Sequence, residues 1–153
     1  MSAGAVLTHR IGRELSSCFA AIAPVEGTIA ITPCLPSTPI SIFKIHGNAD
    51  RNIPFYGGFG CGGNQENFSS VTAIVQTWID LQGCNCSFEG NCGQVVLTDS
   101  DGVCTKYGTC DFDVYVTMCV VIGAGHAWPG VPGQQVQPQC NGTIGNFSTT
   151  EHI

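Results

Sequence analysis

The sequence predicts an α/β fold in which helices flank a mostly parallel sheet. Two amphipathic helical segments alternate with short apolar segments, and this order is typical of parallel strands joined by crossover helices. Hydrophobic residues make up 43% of the chain and charged residues only 10%, a composition typical of a protein that buries a core. A length of 153 residues fits one domain, which we assign to residues 1–153.

Helical periodicity marks residues 3–17 and about 69–81, the second ending at Gly83. Apolar residues recur every three or four positions and define one face of each helix: Val6, Leu7, Ile11 and Leu15 in the first, and Val71, Ile74, Val75, Trp78 and Leu81 in the second. His9 and Arg13 lie off the predicted apolar face of the first helix, so we expect both side chains to be exposed.

Short apolar runs predict the strands. Residues 19–25 and 40–46 form two of them, and residues 114–122 form the last clear strand. Between them, residues 95–98 and 103–106 flank an Asp/Ser/Gly turn and predict either a hairpin or a surface excursion.

The charge balance argues against two classes of partner. Eleven acidic residues oppose five basic ones, the net charge is −6, and no basic cluster is present, which speaks against binding to nucleic acid or to an anionic membrane surface. No apolar run approaches the length of a membrane span. We therefore expect neither nucleic acid nor a membrane as a partner.

Ten cysteines spread over most of the chain are typical of disulfides formed in an oxidising compartment. Four glycosylation sequons, at Asn67, Asn85, Asn141 and Asn146, also favour an extracellular, secreted protein. The first residues lack the basic and apolar regions of a secretion signal, so we expect either a signal encoded upstream or a different true start.

No metal or cofactor is predicted. The spacing of Cys84, Cys86 and Cys92 lacks the paired pattern of a structural zinc site. The histidines have no metal-ligand spacing either: we expect His46 to brace the loop that follows its strand, and His152 to lie in a terminal helix.

The candidate chemistry begins at His126, which follows the last strand within a Gly-x-Gly-His segment. Taken alone, this pattern also describes a tight turn with a surface histidine. Asp50 lies just past the carboxyl end of the strand at 40–46. Because functional groups gather at the carboxyl ends of parallel strands, we expect Asp50 and His126 to face one place.

Ser2 is the candidate third member. Ser2-Ala3-Gly4 opens into the first helix and matches the end of G-x-S-x-G, the strand-to-helix elbow that exposes a serine hydroxyl. A serine near the start of a helix is more commonly a cap. The chain order Ser2…Asp50…His126 favours a nucleophile, because it is the order of the α/β-hydrolase triad. The N–H of Ala3, at the helix N-terminus, would then donate to an oxyanion.

Several segments together carry a family resemblance. Residues 1–10 and 20–25, Ile45-His-Gly-Asn-Ala-Asp50 and Gly125-His-Ala-Trp-Pro-Gly130 occur in order and resemble secreted α/β-hydrolases of the polyhydroxybutyrate depolymerase and feruloyl esterase type. The resemblance implies that Ser2 is the nucleophile, Asp50 the acid and His126 the base. It also implies a cross-link near the hairpin that involves cysteines such as Cys84 and Cys110.

The resemblance implies a substrate that is a carboxylic ester, on plant cell-wall polysaccharide or in a hydroxyalkanoate polyester. Trp128 and Tyr56, with Phe55 and Phe59, would form an aromatic rim for such a substrate, although loop packing explains these residues equally well.

Departures from the family pattern leave alternatives open. The chain begins at the elbow, without the earlier strands and the second oxyanion-hole donor, and a capping box at 148–151 starts a helix that stops at Ile153. We therefore expect a partial catalytic domain. The alternatives are an esterase fragment that cannot turn over and a non-catalytic polysaccharide-binding module.

Overall fold

The structure is a computed structural model and describes residues 1–30, 35–62, 66–90, 92–131, 140 and 142–149. Some sequence-based expectations lie outside these residues: Cys34, the sequon at Asn141, and the terminal helix with Glu151 and His152.

The described residues form two α-helices, seven strands and two short 3₁₀ turns. The helices are α1 (Ala3–Glu14) and α2 (Val71–Leu81), and the turns are Ser16–Cys18 and Asp111–Asp113. The strands are β1 (Ala21–Ile22), β2 (Ser41–Gly47), β3 (Gly58–Phe59), β4 (Asn67–Phe68), β5 (Gly93–Thr98), β6 (Gly102–Tyr107) and β7 (Val116–Val121). β3 and β4 pair as a small separate ribbon.

The main sheet is mixed, with the order β1-β2-β7-β6-β5. β1 and β2 pair in parallel, as do β2 and β7, whereas β6 and β5 add to β7 in antiparallel fashion. The prediction of a mostly parallel sheet is therefore wrong for two of the four strand pairings. The predicted hairpin exists, but its second strand pairs along the full length of β7, from Gly102 opposite Val121 to Tyr107 opposite Val116, and thereby extends the sheet.

The buried face of α1 differs from the predicted one. Ala5, His9, Gly12 and Arg13 are buried, whereas Leu7 and Leu15 are 55% and 49% exposed. The small residues allow the helix to lie close to β1, since a Cβ at Gly12 would come within 2.6 Å of the Ile22 side chain. His9 is not exposed as predicted: it is 1% exposed, and its Nδ1 accepts a hydrogen bond of 3.0 Å from Trp78 Nε1 of α2.

The apolar stripe of α2 is buried as its periodicity predicts. Ser70 caps the helix, its hydroxyl accepting from Ala73 N at 3.2 Å. The stripe packs on one face of the sheet, in a cluster with Ile42 of β2 and Met118 of β7. A second cluster includes Ile45 of β2 and Cys119 of β7, together with Phe147 from a later loop. Residues from β2 and β7 thus anchor both clusters, and these two strands also carry the loops of the candidate site.

Four disulfides link eight of the nine described cysteines, and Cys18 is free and exposed. The disulfides are Cys61–Cys140, Cys84–Cys110, Cys86–Cys92 and Cys104–Cys119. The cross-link that the resemblance implied near the hairpin is thus Cys84–Cys110. Such a set is typical of a protein that folds in an oxidising compartment.

Among the helices that the structure describes, neither is long and apolar enough to cross a membrane.

Candidate active site

Ser2 lies at a sharp bend where the chain enters α1. Its φ of 55° and ψ of −126° place a non-glycine residue in a region that is strained for L side chains. Its N–H donates to Val25 O at 3.1 Å, which ties the bend to the segment that follows β1. The hydroxyl makes no capping hydrogen bond to the helix. Ser2 is therefore not an ordinary helix cap, which was the alternative interpretation of its sequence position.

Asp50 lies on the turn that follows β2. Its Oδ1 accepts from the N–H groups of Asn52 at 2.8 Å and Ile53 at 2.9 Å. These two bonds fix the carboxylate plane and leave Oδ2 for other donors.

His126 lies on the loop that follows β7, and backbone contacts hold this loop against the Asp50 turn. Ala49 N donates to Ala124 O at 2.9 Å, and Asn48 Oδ1 accepts from Gly123 N at 2.7 Å. A Cβ at Gly47 would clash with the Ala124 carbonyl, so glycine is required for this close approach.

The structure brings Ser2, Asp50 and His126 into one hydrogen-bonded chain. His126 Nδ1 lies 2.8 Å from Asp50 Oδ2, and Nε2 lies 2.8 Å from Ser2 Oγ. Because a carboxylate only accepts, the imidazole proton belongs on Nδ1 and Nε2 can accept from the serine hydroxyl. This arrangement allows His126 to remove the proton of Ser2. His126 is also buried and paired, unlike a surface histidine in a turn.

The environment of Asp50 favours its anion. Burial alone would raise the pKa of Asp50, but the hydrogen bond from His126 and the neighbouring side chains of His46 and Glu26 outweigh burial and hold this pKa well below its usual range. Asp50 therefore stays ionised across the pH range in which histidine titrates.

His46 packs beneath the Asp50 turn. Its Nε2 lies 2.9 Å from Ile53 O, so this nitrogen carries the proton, and it also lies 3.3 Å from Asp50 Oδ2. Its Nδ1 accepts from Lys44 Nζ at 2.9 Å. Burial lowers the pKa of His46 to about 4, with the neighbouring Lys44 charge acting in the same direction. A neutral His46 that holds the turn matches the predicted bracing role.

Two charged members of this cluster are not among the residues predicted from the sequence. Lys44 is fully buried on β2, and burial lowers its pKa to about 8. Glu26, fully buried just after β1, accepts from Gly47 N at 2.8 Å. One signal was available: residues 42, 44 and 46 of a strand share a face, so a strand buried through Ile42 also buries Lys44.

Glu26, His46 and Asp50 offer ligand-type atoms within 4.8 Å of one another. Their hydrogen bonds leave a poor metal site, however. His46 Nε2 is protonated toward Ile53 O, its Nδ1 faces an ammonium, and Asp50 accepts from three other donors. The donor set therefore does not fit a divalent cation, and the absence of a metal stays a prediction.

Ala3 is exposed as the first residue of α1, where an N–H has no intrahelical acceptor. It follows Ser2 directly, so this amide is oriented by the same bend that positions the serine hydroxyl.

Only two of the four residues of the predicted aromatic rim have strongly exposed rings. Tyr56 and Phe59 are 79% and 73% exposed, and Phe59 lines an open depression beside Asp50 together with Arg51 and Pro54. Phe55 belongs to the core, and Trp128 packs against the second apolar cluster.

Comparison with known proteins gives a distant similarity to an esterase. The chain matches no family model. It is similar to feruloyl esterase B of Piromyces equi, with 25% identity over 133 residues, which is 82% of this chain and 24% of that protein. The chain therefore spans about a quarter of the length of this relative. Together with the mixed α/β sheet and the disulfides, the similarity supports an esterase-like relation for this chain.

Proposed function

We propose that the chain carries the triad of a secreted serine esterase, with Ser2 as the nucleophile, His126 as the base and Asp50 as the acid. The observation that carries this proposal is the chain of two 2.8 Å hydrogen bonds from Ser2 Oγ through His126 to Asp50. The strained Ser2 backbone at the start of a helix supports it, because this is the geometry of a nucleophile elbow.

The reaction begins with acyl transfer to the serine. His126 Nε2 takes the proton of Ser2 as Oγ attacks the ester carbonyl carbon, and the buried Asp50 anion stabilises the imidazolium that forms. The carbonyl oxygen gains negative charge and accepts from the Ala3 N–H. His126 then protonates the leaving alcohol, which departs as the acyl-enzyme forms.

Hydrolysis of the acyl-enzyme repeats these roles with water. His126 removes a proton from a water molecule, the hydroxide adds to the acyl carbon, and the proton returns to Ser2 Oγ as the acid leaves.

We further propose that this site belongs to part of an α/β-hydrolase domain within residues 1–153. The parallel core of β1, β2 and β7 supports this view, because Asp50 and His126 follow adjacent parallel strands. The disulfides support an extracellular location.

The substrate class that we propose is a feruloyl ester on plant cell-wall polysaccharide or a hydroxyalkanoate polyester. The name of the similar esterase supports the first of these. The exposed rings of Tyr56 and Phe59 offer flat apolar surface for either substrate, whereas the packing of Trp128 favours a structural role.

The test is ester hydrolysis by the chain and by Ser2→Ala, with methyl ferulate and a hydroxybutyrate oligomer as substrates. We expect turnover of at least one ester, and a loss of kcat of about 10⁴-fold or more without the nucleophile. Binding of polysaccharide without hydrolysis would instead favour the binding module, and a folded chain that neither binds nor hydrolyses would favour an incompetent fragment.

A further inference from the structure

A second carboxyl group lies next to Asp50 in the interior. Glu26 is fully buried immediately after Val25, which forms a parallel bridge with Ile45 of β2. Its φ of 47° is in the left-handed region, which is uncommon for glutamate. The fold thus holds a strained backbone while it places an acid in the core, and such strain is concentrated at functional sites.

The two oxygens of Glu26 have different surroundings. Oε1 accepts from Gly47 N at 2.8 Å, which holds the carboxyl end of β2 just before the Asp50 turn. Oε2 is buried, and no group in the described part of the chain donates to it. His46 Nε2 lies 3.4 Å from Oε2 but directs its proton to Ile53 O.

A proton on Glu26 Oε2 explains how this oxygen can be buried without a hydrogen-bond donor. As a carboxylate, Oε2 would be a buried anion without a donor, beside the anion of Asp50. As a carboxylic acid, Glu26 gains a hydrogen to donate, and a carboxylate oxygen of Asp50 lies within 4.8 Å as a potential acceptor. Burial first, and then Asp50, raise the pKa of Glu26 well above its usual range.

The charges around Glu26 agree with a neutral acid. The titratable and charged groups that face it are Asp50, His46 and Lys44 from the β2 side, and the amino group of Met1 before α1. Lys44 is the one fully buried cation among them, and a single ammonium balances a single carboxylate, that of Asp50.

We propose that Glu26 is a positioning residue of the esterase site, a neutral carboxylic acid that donates a hydrogen bond to Asp50 and thereby holds the Asp50 anion for His126. This inference rests on the proposed function for its catalytic part. Its structural part, the proton on Glu26, stands on the geometry of the cluster and is tested separately.

The first test detects the proton on Glu26 through the pH dependence of the unfolding equilibrium. We expect Glu26→Gln to fold, because the amide keeps an acceptor for Gly47 N and a donor for Asp50. Between pH 5 and 7 the unfolded glutamate is ionised while the folded one keeps its proton, so the wild-type unfolding constant rises about tenfold per pH unit relative to that of Glu26→Gln. Glu14→Gln, at an exposed glutamate paired with Arg10, is the matched control and should show no such slope.

The second test uses steady-state kinetics to determine whether Glu26 positions Asp50. Glu26→Ala removes the donor, and we expect kcat to fall about 10- to 100-fold at unchanged KM, by analogy with the loss caused by removing the hydrogen-bond partner of a metal-ligating side chain. Without this donor the Asp50 anion becomes a stronger acceptor for His126, so the acid limb of the kcat/KM profile moves to higher pH. Glu26→Gln should restore both kcat and the position of the acid limb.

The outcomes separate the two claims. A stability difference between wild type and Glu26→Gln that does not change from pH 5 to 7 would overturn the neutral acid. Failure of Glu26→Gln to rescue the kinetics of Glu26→Ala, in a protein that folds, would overturn the positioning role. Absence of esterase activity in the wild type would contradict the proposed function and the positioning role, whereas the pH slope of stability would still support the proton on Glu26.

Discussion

At the scale of single residues, the Asp50 carboxylate has more donors than any other side chain in the site. Its Oδ1 accepts two backbone N–H groups of its own turn, and its Oδ2 accepts from His126. The first pair fixes the direction of the side chain and the third bond selects the imidazole tautomer. One residue therefore controls both where His126 points and which nitrogen can accept a proton.

The substitution Asp50→Asn separates these roles. Asparagine keeps an acceptor for the turn, but its NH₂ group faces His126 Nδ1, so the imidazole must carry its proton on Nε2 and cannot accept from Ser2. We expect kcat to fall about 10⁴-fold with KM changed little, as measured by steady-state ester hydrolysis. The control is Asp80→Asn on the exposed face of α2, where the aspartate side chain accepts a hydrogen bond from Gln76. A loss smaller than tenfold for Asp50→Asn would contradict the assigned role.

At the scale of elements, the contact between α1 and α2 includes a buried polar pair. Trp78 Nε1 donates to His9 Nδ1 at 3.0 Å, and the two rings stack with centroids 6.0 Å apart. Burial, with Lys44, Arg13 and His46 nearby, lowers the pKa of His9 well below its usual range, so His9 is neutral and can accept. This bond aligns α1, whose first residue follows Ser2.

We expect Trp78→Phe to lower the free energy of unfolding by about 1–3 kcal/mol for the unpaired His9 nitrogen alone, with a further loss from the smaller ring. Chemical denaturation at pH 7 measures the change. Tyr56→Phe, at an exposed ring, should remain within about 0.5 kcal/mol of wild type. Equal stability of Trp78→Phe and wild type would show that the pair contributes nothing.

The sequence predicted the elements better than their contacts. The central residues of each helix, the strands β2 and β7 and the hairpin follow from local periodicity and turn residues. The face of α1 does not, because its burial depends on how closely the helix approaches β1, and small residues decide this. The pairing of β6 with β7 is also non-local, so no periodicity within residues 102–107 could predict an antiparallel edge on a parallel sheet.

At the scale of the whole molecule, the candidate site depends on three distant segments that the sheet brings together. Ser2, Asp50 and His126 could be proposed from chain order and strand ends, because the topology of parallel strands determines where those ends meet. Glu26 and Lys44 could not be proposed in the same way. Each is an isolated charge in an apolar run, and its role appears only when β1 and β2 lie side by side.

The most direct measurement of the central claim is covalent labelling of the serine. A fluorophosphonate probe should react with the folded chain, and peptide mass spectrometry should place the adduct on Ser2, because only this hydroxyl is paired with an imidazole in the described residues. We expect labelling to be lost in Ser2→Ala and strongly reduced in His126→Ala. A folded chain that the probe does not label, or an adduct that persists in Ser2→Ala, would contradict the assignment of Ser2 as the nucleophile.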